Sequence, residues 1–413
     1  MTPIDAVPQS LLRHRPFMLF WYARIFTAVA FQMMWVAVGW DIYELTGRAF
    51  DLGLVGLIQF LPAAMFMLVA GQMADRYDRR RIIQACQVIE ALSAAALAVA
   101  SFTGSVSKEF ILVAVFMVGF GRTFEATTLQ AFLPTVISAS LFPRAVAASS
   151  TAQQVATISG PAIGGLIYAV SPTAVYAICF LLFLCSALQI GFIKQQERAA
   201  AAARPPLTLQ VFFAGVGFIR RDPIVLGAIL LDMFAVLLGG ATALLPIFAQ
   251  DVVDAGPVGL GLLRAAPAVG GILIMVALAR ATFTRHVGRI MFGSVACFGI
   301  ATIVFALSES FALSLAALCV LGAADAVSVV IRQTLVQIET PDDMRGRVSA
   351  VNALFVGMSN QLGEFRAGMA AAVMGAIPAV LIGGVGTLVV VLAGIKLFPE
   401  LYRVQGFQSV RKK

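Results

Sequence analysis

Twelve long apolar stretches follow one another along the chain, and short polar links separate them. A helix of about 20 apolar residues crosses the ~30 Å hydrocarbon core of a bilayer, because each residue adds ~1.5 Å of rise. Each stretch is long enough for such a helix, so the sequence predicts twelve transmembrane helices. The predicted spans are residues 17–43, 51–73, 82–102, 110–132, 147–170, 173–193, 224–248, 258–280, 289–308, 311–335, 348–374 and 377–398.

The composition also indicates a polytopic membrane protein. Hydrophobic residues make up 60% of the 413 residues and charged residues 12%, whereas about a quarter of an ordinary soluble domain is charged. The mean hydropathy is +0.93. The predicted fold class is therefore an all-α membrane protein embedded in a lipid bilayer.

The positions of the basic residues explain the net charge of +8. Of 29 Lys and Arg residues, Arg48 and Lys108 fall in external links and five fall in spans, which leaves 22 for the cytoplasmic segments. This asymmetry follows the positive-inside rule and does not indicate nucleic-acid binding. An even number of spans places both termini, including the basic tail 411–413, in the cytoplasm. The five arginines in spans are Arg24, Arg122, Arg264, Arg332 and Arg366.

Cysteine and histidine provide no metal-site pattern in this sequence. All five cysteines lie in predicted spans without ligand spacing, which favours buried apolar roles. The two histidines, His14 and His286, lie in basic cytoplasmic segments. The chain also lacks the Gly-x-x-x-x-Gly-Lys motif that binds phosphates. We therefore expect no cofactor, no bound metal and no enzymatic activity, and energy must come from an ion gradient or the substrate's own gradient.

The two halves of the chain match at a constant offset of 203 residues. Such a repeat predicts two parallel six-helix bundles, with a cavity between them near the membrane midplane. The predicted bundles are residues 1–193 and 223–413, and residues 194–222 form a cytoplasmic linker with a surface helix over 207–221. The matched pairs are Gly119 with Gly322, Gln130 with Gln333, Arg144 with Arg347, Ala147 with Ala350, Gly160 with Gly363, and Gly165 with Gly368.

A crowded charge cluster separates the second and third predicted spans. It reads Gly71-Gln-Met-Ala-Asp-Arg-Tyr-Asp-Arg-Arg-Arg81. This run resembles the Gly-x-Leu-Ala-Asp-Arg-x-Gly-Arg-Arg signature of the major facilitator superfamily, with Met73 for Leu and Asp78 for Gly. Residues 341–348 and 360–368 resemble the efflux branch that includes the enterobactin exporter. The resemblance covers nearly the whole chain and implies transport by alternating access.

The resemblance implies a gating role for the charged cluster. Asp75 is expected to cap the N-terminus of the eleventh helix, where a carboxylate contributes ~0.3–1 kcal/mol at exposed sites. Arg79 and Arg80 are expected to pair with acidic groups across the cytoplasmic face. The alternative is a charged turn that only sets topology. The gating motif comprises Gly71, Asp75, Arg76, Arg79 and Arg80.

The fifth span carries a Gly-Pro-x-x-Gly-Gly motif, formed by Gly160, Pro161, Gly164 and Gly165. It is similar to the motif associated with antiporters in the superfamily. Glycines one turn apart let a neighbouring backbone approach closely, and the proline removes one helical hydrogen bond. Tight helix packing is therefore expected whether or not the motif sets the direction of transport.

Ionisable groups within spans are functional candidates because each costs a few kcal/mol to insert. Arg122 and Glu125 lie three residues apart and Asp325 and Arg332 seven apart, so each pair shares a helix face. The alternative is that these charges only neutralise one another and lock the bundle. The candidates for proton coupling are Glu364, ranked first, Asp232, Asp325 and Glu125. The candidates for the substrate cavity are Arg24, Gln32, Arg122, Arg264, Arg332, Asn360 and Gln361. Glu90, on the third span, is less well placed.

These features predict a monomeric exporter of the bacterial inner membrane. It is expected to exchange protons for a small hydrophobic or anionic compound, such as a siderophore or drug, because five intramembrane arginines suit an anionic or electron-rich substrate. Two alternatives remain. One is a lysophospholipid transporter, and the other is a non-transporting membrane sensor with the same fold.

Overall fold

The computed structural model describes residues 11, 14–138, 140–193, 209–280 and 285–407. Helices dominate this part of the chain, as expected for segments that must satisfy their own backbone hydrogen bonds in lipid. They are α1 (Arg15–Thr46), α2 (Ala49–Arg76), α3 (Arg79–Thr103), α4 (Lys108–Val136), α5 (Phe142–Val170), α6 (Pro172–Gly191), α7 (Leu209–Arg221), α8 (Pro223–Gly239), α9 (Leu245–Ile247), α10 (Gly256–Arg280), α11 (Val287–Leu307), α12 (Phe311–Glu339), α13 (Asp342–Met374), α14 (Ala376–Leu397) and α15 (Pro399–Tyr402).

Each predicted span coincides with a long helical region. Ten regions of the described chain are long and apolar enough to cross a membrane. The fifth and eleventh spans, in α5 and α13, are helices of 29 and 33 residues, but their many small and polar residues make them less apolar. A helix, α7, is present where the surface helix is predicted, and its place at the membrane surface stays a prediction. Residues 194–208 of the predicted linker and the basic tail 411–413 lie outside the described residues.

The seventh predicted span is not one regular helix. The α-helix of this span, α8, ends at Gly239, and Gly240 has φ −57° and ψ 61°. A 3-10 turn over Thr242–Leu244, the short α9 and a π-helical turn over Phe248–Val252 follow. Pro246 lies in this stretch and cannot donate a backbone hydrogen bond. The interruption leaves backbone and side chains of residues 240–252 available for contacts that a regular helix would not make.

Internal contacts divide the chain into two compact units. Unit 1 comprises Met1–Ala37 and Leu61–Pro206, and unit 2 comprises Val38–Phe60 and Leu207–Lys413. The C-terminal part of α1 and the first part of α2 therefore pack with unit 2. The domain boundaries predicted from sequence placed residues 38–60 in the N-terminal bundle. We call residues 38–60 the α1–α2 hairpin.

Each unit has its own apolar core. In unit 1, aromatic side chains of α1 and α4 meet, and the rings of Phe20 and Phe132 are 6.1 Å apart. In unit 2, Met291 and Phe292 of α11 pack with Ile331 of α12. The internal repeat is visible in the elements, because α4 and α12 begin and end 203 residues apart.

Candidate functional site

The predicted gating motif lies where α2 ends and α3 begins. Gly71 is half-buried in α2, and Asp75 and Arg76 end that helix with exposed side chains. Asp78, which replaces the signature glycine, is the N-cap of α3, and its carboxylate accepts a hydrogen bond from the Arg80 backbone N–H at 2.9 Å. The departure from the superfamily pattern therefore supplies a helix cap.

Arg79 and Arg80 bond to backbone carbonyls within unit 1. Arg79 donates to the oxygens of Ala74 at 3.0 Å and Ala131 at 3.1 Å. Arg80 donates to two carbonyls at the end of α6, each at 3.3 Å. The described contacts thus differ from the acidic partners that we expected. The physical reason is that carbonyls near helix C-termini lack partners and carry partial negative charge.

The glycines of the antiporter-like motif bring α5 close to α1. A Cβ on Gly160 would lie 2.6 Å from the Cβ of Gln32, and a Cβ on Gly164 would lie 2.9 Å from the backbone of α1. Pro161 and Gly165 are buried in the same helix. The expected tight packing is confirmed, and the link to the direction of transport stays a prediction.

An ion pair on α4 is the centre of a polar network in unit 1. Arg122 Nη1 lies 3.0 Å from Glu125 Oε2, which confirms the pairing that the three-residue spacing predicts. Gln87 of α3 donates to the other Glu125 oxygen at 3.0 Å and to the Thr27 hydroxyl at 3.3 Å. The Arg122 guanidinium also lies 4.5 Å from the centroid of the Phe31 ring. The Glu125 carboxylate is therefore neutralised by Arg122 and hydrogen-bonded by Gln87. We call Arg122, Glu125, Gln87 and Thr27 the Glu125 network.

Two further charged side chains interact electrostatically with the Glu125 network. Arg24 of α1 has a buried Nε without a hydrogen-bond partner. Glu90 of α3 is fully buried, and neither carboxylate oxygen has a partner. Gly121 of α4 leaves space for the Glu90 side chain, because a Cβ on Gly121 would lie 3.0 Å from the Glu90 Cγ. Hydropathy alone does not indicate which face of α3 is covered, so the sequence does not predict that Glu90 is buried.

A second ion pair lies within unit 2. Asp232 of α8 and Arg332 of α12 are 3.2 Å apart and both nearly fully buried. Arg332 also donates to the side-chain oxygen of Asn352 on α13 at 3.0 Å. The ion-pair partner of Arg332 therefore lies on another helix, although Asp325 shares a face of its own helix.

A small cavity lies beside this ion pair. About 10 Å³ of it is open to the centre of a water molecule, roughly what one water needs. Asp232, Asp325 and Ser328 line it, and the Ser328 hydroxyl is buried without a hydrogen-bond partner. We call it the Asp232 cavity. Its other lining residues are Ala235, Val236, Val295, Phe298 and Ala324.

Glu364 of α13, ranked first for coupling, lies against the α1–α2 hairpin within unit 2. A Cβ on Gly56 would lie 2.7 Å from Glu364 Oε2. The Thr242 hydroxyl hydrogen-bonds to the Glu364 carboxyl group, and Arg264 of α10 is its oppositely charged neighbour. A Cβ on Gly39 of the hairpin would lie 3.2 Å from Arg264 Nη2. We call the contacts of Glu364 and Arg264 with Gly56 and Gly39 the Glu364 seal.

Other contacts hold the same hairpin in unit 2. A Cβ on Gly368 would lie 2.6 Å from the Cα of Gly53, so the two backbones touch. The Tyr43 hydroxyl donates a hydrogen bond to the Asp251 carboxylate in the π-helical turn. Each of these contacts joins residues that are far apart in the chain, so sequence spacing does not predict them.

The remaining candidates on α13 differ in their surroundings. The Gln361 side-chain oxygen is buried without a partner, whereas Asn360 is exposed and donates to a carbonyl of its own helix. Arg366 donates to the Leu237 carbonyl at 2.8 Å and to the Leu238 carbonyl. Arg366 thus caps the C-terminal end of α8, a structural role that suits a cation.

Comparison with characterised proteins indicates transport. The chain is 26% identical to the multidrug efflux pump Tap of Mycolicibacterium fortuitum over 86% of this chain and 88% of Tap. It is 24% identical to the enterobactin exporter EntS of Shigella dysenteriae over 97% and 95% of the two chains. It is 22% identical to macrolide efflux protein A of Streptococcus pyogenes, but that match covers 62% of this chain and 65% of the relative.

The fold is shared with solved transporters. The crystal structure of the nucleoside transporter NupG superposes with a TM-score of 0.73 at 14% identity, over 93% of this chain and 99% of that chain. The sequence profile of the transmembrane secretion effector family matches residues 6–406. The chain is thus a multi-pass membrane protein of the transporter class, and it belongs to the transmembrane secretion effector family of the major facilitator superfamily.

Proposed function

We propose that the protein is a secondary active exporter that moves a small hydrophobic or anionic compound outward in exchange for protons. It works as a monomer in the bacterial cytoplasmic membrane, with both termini in the cytoplasm and access alternating between the two sides. The efflux proteins among its relatives support the direction of transport. The basic residues in the predicted cytoplasmic links support the orientation.

The observation that carries the proposal is the position of Glu364. A carboxyl group in a membrane helix costs a few kcal/mol and persists where function needs it. Here the carboxyl group lies at the contact between α13 and the α1–α2 hairpin, with Arg264 as its countercharge. Binding a proton removes the negative charge beside Arg264 and so changes the energy of the Glu364 seal. Proton binding and opening of the seal are thereby coupled.

The proposed gating motif acts at the other end of α2. Asp75 and Arg76 have exposed side chains there, while Arg79 and Arg80 are anchored on carbonyls of unit 1. Asp75 is therefore available to cap a helix that approaches and leaves during transport. The Glu364 seal and the gating motif lie at opposite ends of α2. Alternating access requires such an arrangement, because the two sides of the membrane must be closed in turn.

The proposed substrate class follows from the positive charge in unit 1. Arg122 is already paired with Glu125, so it is the weaker candidate for a ligand contact. Arg24 has a buried Nε without a partner and no ion pair among the described salt bridges. Arg24, with Gln32 further along α1, is therefore our first choice for contacting an anionic or electron-rich substrate.

Reconstitution into liposomes tests this function. We would impose a pH gradient and follow three probes in parallel, a catecholate siderophore, a macrolide and a lysophospholipid. We expect gradient-driven movement of the siderophore or the macrolide, and its loss when an ionophore collapses the gradient. Protein-free liposomes are the control. Folded protein that moves none of the probes would contradict the proposal and favour the sensor.

One observation favours lysophospholipid transport as the second candidate. A groove of about 320 Å³ between α3 and α4 is lined by apolar side chains, and several of them are exposed. Such a surface in a membrane helix pair accommodates an acyl chain. Its lining includes Ile89, Leu92, Phe110, Val113 and Met117. In the same liposome assay, movement that depends on the lipid headgroup and not on the pH gradient would select this function.

A further inference from the structure

We propose that the Asp232 cavity binds one sodium ion. The cavity combines two carboxylates with a buried hydroxyl that has no partner, in a space the size of one water molecule. The inference deepens the proposed function by adding a second ion to the cycle. The role of the ion in transport rests on the proposed function, whereas its binding to the cavity does not.

The first argument concerns the ligands. Asp232 of α8 and Asp325 and Ser328 of α12 supply oxygen atoms from two helices. Ser328 is 2% exposed, yet its hydroxyl has no hydrogen-bond partner. A buried polar group without a partner costs free energy, so the hydroxyl needs a water or an ion in the cavity. Two carboxylates and a hydroxyl form a set of oxygen ligands that suits a hard cation.

The second argument concerns charge. Arg332 neutralises one of the two carboxylates, since it is 3.2 Å from Asp232. The other cavity-lining residues, from α8, α11 and α12, are apolar. When both aspartates are ionised, Asp232, Asp325 and Arg332 together carry a net charge of −1. Buried charges are normally paired or bound to metal ions, and one monovalent cation restores neutrality.

The third argument concerns size. Calcium takes six to eight oxygen ligands, and magnesium usually keeps several of its waters. The cavity offers three side chains and the volume of one water, which are too few ligands for calcium and too little space for hydrated magnesium. A dehydrated sodium ion fits, with the side-chain oxygens as its ligands. A bound ion would hold α8 against α12, and the bond from Arg332 to Asn352 extends this link to α13.

Ion-dependent stability of the purified protein tests the site. We would measure the midpoint of thermal unfolding in detergent while sodium chloride replaces choline chloride at constant ionic strength. A ligand that binds only the folded protein raises the midpoint with its concentration. We expect the midpoint to rise saturably with sodium. The rise with potassium should be smaller, because the potassium ion is larger and fits the cavity less well. Equal midpoints in sodium and choline would overturn the proposal.

Two variants assign the effect to the cavity. Ser328→Ala removes one ligand and should weaken apparent sodium affinity about tenfold, the scale of one lost polar contact. Asp325→Asn should abolish the sodium effect. The control is Ser314→Ala in the same helix, because the Ser314 hydroxyl is bonded to Ser308 at 3.0 Å and does not line the cavity. Unchanged sodium dependence in both cavity variants would place the ion elsewhere and overturn the assignment.

Discussion

Charged side chains within the membrane helices fall into three kinds according to what they touch. Arg366 bonds to carbonyls at the end of α8 and serves the structure. Asp232 and Arg332 neutralise each other across two helices. Glu90 is fully buried and its carboxylate oxygens have no partner. A carboxylate that is ionised and unpartnered is costly in such surroundings. We therefore propose that Glu90, like Glu364, is retained for function.

The first prediction concerns the two aspartates beside the α2–α3 turn. Asp75→Asn removes the negative charge that the proposed gate needs and should abolish transport while insertion and folding stay normal. Asp78→Asn is the matched control, because asparagine caps a helix about as well as aspartate and the α3 cap is preserved. Expression, thermal stability and flux in liposomes would be compared. Normal transport by Asp75→Asn would remove the gating role.

The second prediction concerns the buried ion pair of unit 2. Arg332→Met leaves Asp232 buried without its countercharge, and breaking such a pair typically costs ~3–5 kcal/mol. We expect a fall of several degrees in the thermal midpoint in detergent. The double variant Arg332→Met with Asp232→Leu should recover most of that loss, because no charge then remains buried alone. A double variant as unstable as the single one would argue against this reading of the pair.

At the scale of elements, glycine contacts decide which helices touch. Gly53 of α2 and Gly368 of α13 bring the hairpin onto unit 2, as Gly160 and Gly164 bring α5 onto α1. Backbones that touch in this way leave no room for a side chain, and they gain packing contacts that lipid cannot replace. Of these helices, α13 also carries the proposed coupling group Glu364, which itself contacts Gly56 of the hairpin.

The third prediction tests one of these contacts. A Cβ on Gly368 would lie 2.6 Å from the Gly53 Cα and 2.7 Å from its nitrogen. Because both atoms belong to the backbone, Gly368→Ala should destabilise the protein by about 1–3 kcal/mol. Gly357→Ala in the same helix is the control, since nothing lies within 4 Å of that Cβ. Its thermal midpoint should stay level or rise, because alanine favours helix. Equal midpoints for both variants would contradict the packing account.

The sequence predicted helices better than contacts. Length and hydropathy place each predicted span in a helical region, and ten described regions are long and apolar enough to cross a membrane, because a bilayer leaves few alternatives to a helix of that length. The pairing of Arg122 with Glu125 follows from spacing within one helix. The partner of Arg332, the burial of Glu90 and the assignment of the hairpin to unit 2 depend on other helices. The end of α8 at Gly239 had a local signal in Gly240 and Pro246 that the hydropathy of the span concealed.

At the scale of the whole molecule, the family match assigns the chain to the major facilitator superfamily, and α4 and α12 repeat each other at an offset of 203 residues. The efflux relatives support the proposed class of activity, and the intramembrane charges support the proposed coupling to an ion gradient. The proposed coupling group, Glu364, lies where α13 meets the α1–α2 hairpin. In the proposed transport cycle, its charge influences a contact that changes as the protein alternates between the two sides.

The most direct test of this account measures proton movement during export. Proteoliposomes with a pH-sensitive dye inside would receive the substrate identified in the flux assay, with wild-type protein, Glu364→Gln and Glu364→Asp compared. The account predicts proton movement with the wild type and partial movement with Glu364→Asp. Glu364→Gln should stay folded and bind substrate but move no protons. Proton movement by Glu364→Gln equal to that of the wild type would contradict the account.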